Sequence, residues 1–185
     1  MLYPDLDYPS PLYQEWLRLL EEKDIECTIA QAGQQIDLGE GITIKVLHPQ
    51  TPLLTGTGSD INNNSVVLRL SMGRVSFLLA ADIEWEAEFE LIALRADLSG
   101  TVLKVGHSGS DTSTSAEFLA AANPQVAVIS VGDNPFGHPS DEVLKRLEEK
   151  LGTENIYLTY DAKTDEHHTI EFITDGERLW VKTEL

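Results

Sequence analysis

Short apolar runs alternate with helical segments through the second half of the chain. The runs at residues 75–81 and 126–131 are almost entirely apolar, and a third run, residues 101–105, lies between them. Strands that are apolar on both faces are typical of the interior of a parallel sheet covered by helices. The pattern therefore predicts an α/β fold with a layered sheet. This sheet is partly mixed, because residues 66–70 and 75–81 are predicted to form a hairpin.

Capping signals locate the helices. Ser10 followed by Pro11 is a typical helix start, and Ser140 is the predicted N-cap of a helix near the end of the chain. Thr114, with Glu117 three residues later, is a capping box that predicts a helix ending at residue 122. The helix capped by Ser140 is predicted at residues 141–150, and one further helix at residues 82–94. Further strands are predicted at residues 25–30, 42–47, 155–160, 169–174 and 178–182.

Length and charge restrict the function. A chain of 185 residues forms one domain, residues 1–185, and no apolar run approaches the roughly 20 residues of a membrane span. The 13 basic and 31 acidic side chains give a net charge of −18, which opposes binding to nucleic acid through a broad electrostatic patch. The single cysteine excludes an intrachain disulfide.

Three polar residues follow three successive predicted strands. Asp82 ends the run 75–81, His107 follows the strand 101–105, and His138 lies in the loop after the next strand. The carboxyl ends of neighbouring strands converge on the ligand crevice of an open α/β sheet. One carboxylate and two imidazoles there would suit Zn²⁺, Mn²⁺ or iron.

Other interpretations remain open for these residues. Asp82 could be only the N-cap of the following helix, and both histidines could be ordinary loop residues. The segment from Gly106 to Ser110 also resembles the G-x-S-x-G turn of serine hydrolases, with Ser108 as the nucleophile. A non-catalytic interaction or structural module is the remaining alternative, and the charge of −18 favours it over a nuclease acting alone.

Several ordered motifs carry a family resemblance. They are Asn62-Asn63-Asn64-Ser65-Val66-Val67-Leu68, Phe77-Leu78-Leu79-Ala80-Ala81-Asp82-Ile83-Glu84, Leu103-Lys104-Val105-Gly106-His107-Ser108-Gly109-Ser110, Ile129-Ser130-Val131-Gly132, Gly137-His138-Pro139 and the final Thr169-Ile170-Glu171-Phe172 with Thr174-Asp175-Gly176. In this order they resemble the metallo-β-lactamase-like domain of the ComEC-type DNA-uptake competence proteins. The match covers most of the chain and is clearest over residues 62–185.

The resemblance implies a fold and a site. The fold would be the C-terminal portion of an αββα sandwich, and the activity a metal-dependent hydrolase of phosphodiesterase or nuclease type using Zn or Mn. Asp82 and His138 would be metal ligands, and His107 a catalytic residue in contact with metal or substrate phosphate. The substrate-binding residues would be Asn64, Ser65, Ser108 and Ser110.

The chain departs from the family pattern in two ways. Ser108 stands where the family has the second histidine of His-His-Gly-Ser, and the upstream H-x-H-x-D-H motif does not occur in the sequence. The chain is therefore expected to be inactive alone, with little or no bound metal. Its implied partners are DNA, the remainder of a parent protein of the bacterial cytoplasmic membrane with this domain extracytoplasmic, and a second copy covering the exposed sheet face.

Overall fold

The computed structural model describes residues 1–6 and 8–184. The four α-helices are α1 (Pro11–Glu22), α2 (Trp85–Ala93), α3 (Ala116–Ala122) and α4 (Asp141–Leu151). The strands are β1 (Leu2–Tyr3), β2 (Thr28–Ile29), β3 (Gln35–Gly39), β4 (Ile42–His48), β5 (Val67–Met72), β6 (Val75–Leu79), β7 (Val102–Lys104), β8 (Val126–Ile129), β9 (Ile156–Leu158), β10 (Tyr160–Asp161), β11 (Glu166–His167), β12 (Thr169–Thr174) and β13 (Leu179–Glu184).

A seven-stranded mixed sheet organises the chain. Its strand order is β3-β4-β5-β6-β7-β8-β9. Pairing is antiparallel from β3 to β6 and parallel from β6 to β9. The predicted mixed α/β sheet and the β5–β6 hairpin are thus confirmed. Strand β3 was not predicted, because its apolar residues Ile36 and Leu38 are too few to distinguish it from a loop.

Helices α2, α3 and α4 cover one face of this sheet. Their apolar side chains form a single buried cluster with strand residues such as Leu78, Leu103 and Ile129, each 0% exposed. The opposite face carries the C-terminal hairpin β12–β13. Phe172 of this hairpin lies edge-on to Phe77, with ring centroids 5.8 Å apart, and also contacts Tyr157.

Two of the predicted helix starts need correction. Helix α2 begins at Trp85 with Glu84 as the N-cap, three residues later than predicted, so Asp82 is not its N-cap. Helix α3 is capped by Ser115, which accepts from the Phe118 backbone N–H, and not by Thr114. Thr114 has a left-handed φ of 52°, and its hydroxyl bonds to a neighbouring loop instead of to the helix.

The other two helix starts are confirmed. Ser10 accepts from the Tyr13 N–H at the start of α1, and Ser140 accepts from the Val143 N–H at the start of α4. These caps were predictable because the bond from an N-cap hydroxyl to the third residue after it is local.

Candidate functional site at the carboxyl edge of the sheet

The two predicted site histidines lie together. They follow β7 and β8, which are parallel neighbours, so both loops emerge at the same edge. The ring centroids of His107 and His138 are 5.6 Å apart in an edge-on arrangement. The His107 backbone N–H donates to the Ala81 carbonyl over 2.8 Å, which places this loop beside Asp82, an exposed residue.

The His107 loop has an uncommon backbone. His107, Ser108 and Gly109 have φ values of 46°, 52° and 82°, three left-handed residues in succession. Each non-glycine residue in that region costs on the order of 1 kcal/mol, and such strain concentrates at functional sites. The Ser110 N–H donates to the His107 carbonyl over 2.9 Å and closes the turn.

The His107 and His138 loops are packed against each other. The Ser140 N–H donates to the Gly109 carbonyl over 2.9 Å. A side chain at position 109 would lie 2.6 Å from Cβ of Pro139, so only glycine fits there. The two histidines are therefore held by one interlocked pair of loops.

A buried glutamate on α2 supports the His107 loop from behind. Glu88 is fully buried, and its carboxylate accepts from the backbone N–H groups of Thr114 and of Ser115, the latter over 2.8 Å. The Thr114 hydroxyl in turn accepts from the Gly106 N–H over 3.2 Å. Arg146 of α4 donates to the Thr114 carbonyl. Burial raises the pKa of Glu88, and these backbone hydrogen bonds oppose that rise.

Glu88 was missed in the sequence although a signal for it exists. It lies next to Ala87 and three residues before Leu91 on the same helix, and both of these residues are fully buried. A charged residue at such a position on an apolar helix face indicates a buried, hydrogen-bonded carboxylate.

The asparagine turn that precedes β5 fixes the start of α2. Asn63 is fully buried, and its side-chain oxygen accepts from the N–H groups of Glu84 and Ala87 over 3.0 and 3.2 Å. Asn62 donates to the Glu84 carboxylate over 3.0 Å. These bonds join the long loop after β4 to the helix that follows Asp82.

The predicted substrate-binding residues have different surroundings. Asn64 is buried, and its amide makes three hydrogen bonds with the backbone of Leu54 and Asp60. Ser65 is half-buried and lines a cavity of about 430 Å³ beside Ala81. Ser65 therefore lies on the side of the site nearest α1, because Trp16 of that helix lines the same cavity.

The two predicted serines of the His107 loop also differ from each other. Ser108 is half-buried and lines a cavity of about 370 Å³ together with His138 and Phe136. Ser110 is 4% exposed, and its hydroxyl contacts the Thr112 hydroxyl at 3.0 Å. Within the described part of the chain, the Ser108 hydroxyl has no hydrogen bond to a histidine, which a serine nucleophile needs.

The His138 loop is held by one asparagine and presents an aromatic ring. The Asn134 side chain donates to the carbonyls of Gly132 and His138 and accepts from the N–H groups of Phe136 and His138. Phe136 is 77% exposed and stacks on the His138 ring, with centroids 5.9 Å apart. Phe136 and Asn134 were not among the predicted site residues.

A glutamate faces His107. The distance from His107 Nδ1 to Oε1 of Glu84 is 3.7 Å, and this nitrogen is buried without a hydrogen-bond partner. Only 9% of Glu84 is exposed. Glu84 was not among the predicted site residues, because its contact with His107 joins two segments 23 positions apart.

A second histidine–glutamate pair lies deeper in the fold. His48 is fully buried, and its Nε2 lies 2.8 Å from the Asn63 carbonyl. Its Nδ1 lies 3.7 Å from Oε2 of Glu90, and both of these atoms lack hydrogen bonds. Burial lowers the pKa of His48 and raises the pKa of Glu90. Both directions favour the uncharged forms of the two side chains.

The described residues do not form a complete metal site. Across residues 1–6 and 8–184, no three His, Cys, Asp or Glu side chains are grouped so that they could hold one metal ion. The donor types at this edge, carboxylate and imidazole, suit Zn²⁺ or Mn²⁺. The described residues therefore present at most part of a ligand set.

Comparison with known proteins gives several relatives. The chain is 32% identical over 164 residues to ComE operon protein 3 of Bacillus subtilis (strain 168), a match covering 88% of this chain and 20% of that protein. It is 38% identical over 128 residues to Recombination protein 2 of Haemophilus influenzae, covering 68% of this chain and 16% of the relative. The chain is a homologue of one part of the ComEC-type competence proteins.

The ComEC-type relatives are much longer than this chain. Competence protein ComA of Neisseria gonorrhoeae is 38% identical over 90 residues, which are 48% of this chain and 13% of ComA. The aligned segments thus span about a fifth or less of these relatives. No family model matches the chain. In the part of the chain that the structure describes, no helix is long and apolar enough to cross a membrane.

Proposed function

We propose that this chain is part of a DNA-uptake competence protein and supplies one portion of a metal-dependent phosphodiester hydrolase site. One observation carries the proposal. The loops of His107 and His138 are interlocked at the carboxyl edge of neighbouring parallel strands, with the segment of Asp82 beside them. Homology to the ComEC-type proteins supports the biological setting.

The residues have distinct proposed roles. The Asp82 carboxylate and the His138 imidazole would be metal ligands, and His107 would contact either metal or substrate phosphate. Ser108 would offer its hydroxyl to a phosphate oxygen in the adjoining cavity. The exposed Phe136 ring offers the flat apolar surface on which nucleobases stack. A metal bound there would lower the pKa of a water and polarise the phosphate.

The same proposal covers the remaining features of the chain. The mixed sheet, with helices on one face and a hairpin on the other, would be the C-terminal portion of a metallo-β-lactamase-like sandwich. The parent would lie in the bacterial cytoplasmic membrane with this part outside it. A second copy of the chain, or the rest of the parent, would cover the sheet face beside β12–β13.

We expect the chain to be inactive alone. Each missing ligand weakens both the affinity and the geometry of a metal site. The net charge of −18 also opposes the approach of a polyanion. Incubation with a linear DNA duplex and Mn²⁺ or Zn²⁺ should therefore give no cleavage above background.

Metal binding tests the site directly. The purified chain is titrated with Zn²⁺ while the histidine ring signals are followed by NMR. Because part of a ligand set binds metal weakly, we expect the His107 and His138 signals to shift together only when Zn²⁺ is in large excess over the protein, and His138→Ala to abolish the shift at His107. The matched control is His167→Ala, because His167 is an exposed histidine on β11. Equal zinc binding by all three chains would contradict the proposed ligands.

A non-catalytic interaction module is the second candidate. The lack of a three-ligand group within the described residues favours it. This candidate predicts that neither His107 nor His138 responds to Zn²⁺ or Mn²⁺. The serine hydrolase alternative predicts labelling of Ser108 by a fluorophosphonate probe, and no hydrogen bond of the described residues supports it.

A further inference from the structure

We infer that Glu84 is a positioning residue that keeps the proton of the neutral His107 ring on Nδ1, so that Nε2 faces the site as an acceptor. The inference rests on the proposed function, because the crevice at this edge gives the free nitrogen its role. It concerns only this chain's own residues.

The local geometry distinguishes the two tautomers. His107 Nδ1 is buried, has no hydrogen-bond partner and lies 3.7 Å from Oε1 of Glu84. An ionised carboxylate can only accept. With the proton on Nδ1, an N–H dipole points at this negative oxygen. With the proton on Nε2, a buried lone pair would face the carboxylate, and both atoms would be acceptors.

Hydrogen bonds hold the Glu84 carboxylate and the backbone of both residues in place. The Asn62 side chain donates to Oε1 of Glu84, and the Glu84 backbone N–H is bound by Asn63. The His107 backbone N–H donates to the Ala81 carbonyl, and the residue has a left-handed φ of 46°. The carboxylate is thus held beside the backbone that carries the His107 ring, and a neighbouring carboxylate is a common way to orient a functional imidazole.

This tautomer decides between the two roles proposed for His107. A neutral imidazole has one donor and one acceptor nitrogen. With Nδ1 as the donor, Nε2 carries the lone pair. About 29% of the side chain is exposed while Nδ1 is buried, so the accessible part of the ring includes its other side. His107 is therefore suited to bind a metal or accept a proton, and not to donate to a phosphate oxygen.

The test is a measurement of the tautomer. Long-range ¹H–¹⁵N NMR of the labelled chain at about pH 8.5, where ordinary imidazoles are neutral, distinguishes the two ring nitrogens of His107. The His107→Gln chain assigns the signals. We expect Nδ1–H in the unaltered chain, and at least a roughly fivefold fall in the ratio of Nδ1–H to Nε2–H in Glu84→Ala. Glu84→Gln, which keeps an acceptor oxygen without the charge, should give an intermediate ratio.

Glu86→Gln is the matched control. Glu86 lies on the same helix and accepts from Gly58 and Asn63, but it does not face His107. The inference is overturned if the unaltered chain carries Nε2–H, or if Glu84→Ala and Glu86→Gln leave the same ratio. The tautomer of the unaltered chain is measured without any substitution, so the inference can be overturned even if the Glu84→Ala chain does not fold. The zinc titration tests the proposed function independently of this inference, because His107 can carry its proton on Nδ1 even in a chain that binds no metal.

Discussion

At the residue scale, the chain keeps several polar groups where burial controls their protonation. His48 must donate from Nε2, because the Asn63 carbonyl at 2.8 Å only accepts. Its Nδ1 then faces Glu90 as a second acceptor, unless the carboxyl holds a proton. A proton on the Glu90 carboxyl would make this contact between β4 and α2 one of a donor with an acceptor.

Glu90→Gln should therefore change how stability depends on pH. Burial raises the pKa of Glu90, so its contribution to stability is complete below the ordinary carboxyl pKa and is lost as pH rises through the raised value. Burial lowers the pKa of His48, whose contribution is lost in the opposite direction, as pH falls. A glutamine amide can donate to Nδ1 of His48 at every pH.

Urea unfolding of both chains between about pH 4 and pH 8 checks this prediction. The unaltered chain should lose free energy of unfolding relative to Glu90→Gln as the pH rises. Glu21→Gln serves as the control for removing one negative charge, because Glu21 is an exposed residue of α1. A difference that stays constant across the range would show that folding does not raise the pKa of Glu90.

At the element scale, hydrogen bonds from a helix of the core position a loop of the site. Helix α3 has only seven residues, and its first turn is attached to α2 by Glu88. The same carboxylate holds Thr114, whose hydroxyl holds Gly106 next to His107. A helix of the core thus determines the shape of a loop at the edge of the sheet.

Glu88→Gln should loosen this connection. The amide group keeps the shape but places a donor opposite one of two backbone N–H groups, leaving a buried donor unpaired. We expect a loss of roughly 1–3 kcal/mol in the free energy of unfolding. Hydrogen exchange of the Thr114 and Ser115 backbone amides should also become faster, by more than the loss in the free energy of global unfolding accounts for. The exposed Glu117→Gln is the control, and equal behaviour of the two variants would contradict the role of Glu88.

At the scale of the whole molecule, the sheet is covered differently on its two faces. One face is sealed by three helices, and the other is partly covered by β12–β13 through Phe172. The hairpin tip also contacts the β5–β6 turn, where the Arg74 N–H donates to the Gly176 carbonyl over 2.6 Å. The expected homodimer would cover what remains, and it stays a prediction.

Phe172→Ala should release the hairpin from the sheet. Phe172 is half-buried, so we expect a loss of about 2 kcal/mol, below the roughly 3–5 kcal/mol for a fully buried phenylalanine. Trp180→Ala on the partner strand is the control, since Trp180 is 45% exposed. Thermal unfolding followed by circular dichroism gives both values. An equal loss in the two variants would mean that Phe172 does not anchor the hairpin.

The sequence by itself determined most strands of the sheet, although not β3, and the loops that bear the candidate site. Apolar runs are local patterns, and parallel neighbours necessarily end at one edge, so the approach of His107 to His138 followed from strand order alone. Cap hydroxyls at Ser10 and Ser140 were equally predictable, because their bonds span three residues.

Only the tertiary structure decided which groups hold that edge in place. Glu84 and Glu88 meet their partners across 23 or more positions, and a carboxylate's burial depends on what packs around it. The same holds for Thr114. Its hydroxyl accepts from the Gly106 N–H of another loop instead of capping α3, and Ser115 is the N-cap. Local pattern fixes where strands end, whereas the direction and protonation of a side chain depend on contacts that form only when distant segments meet.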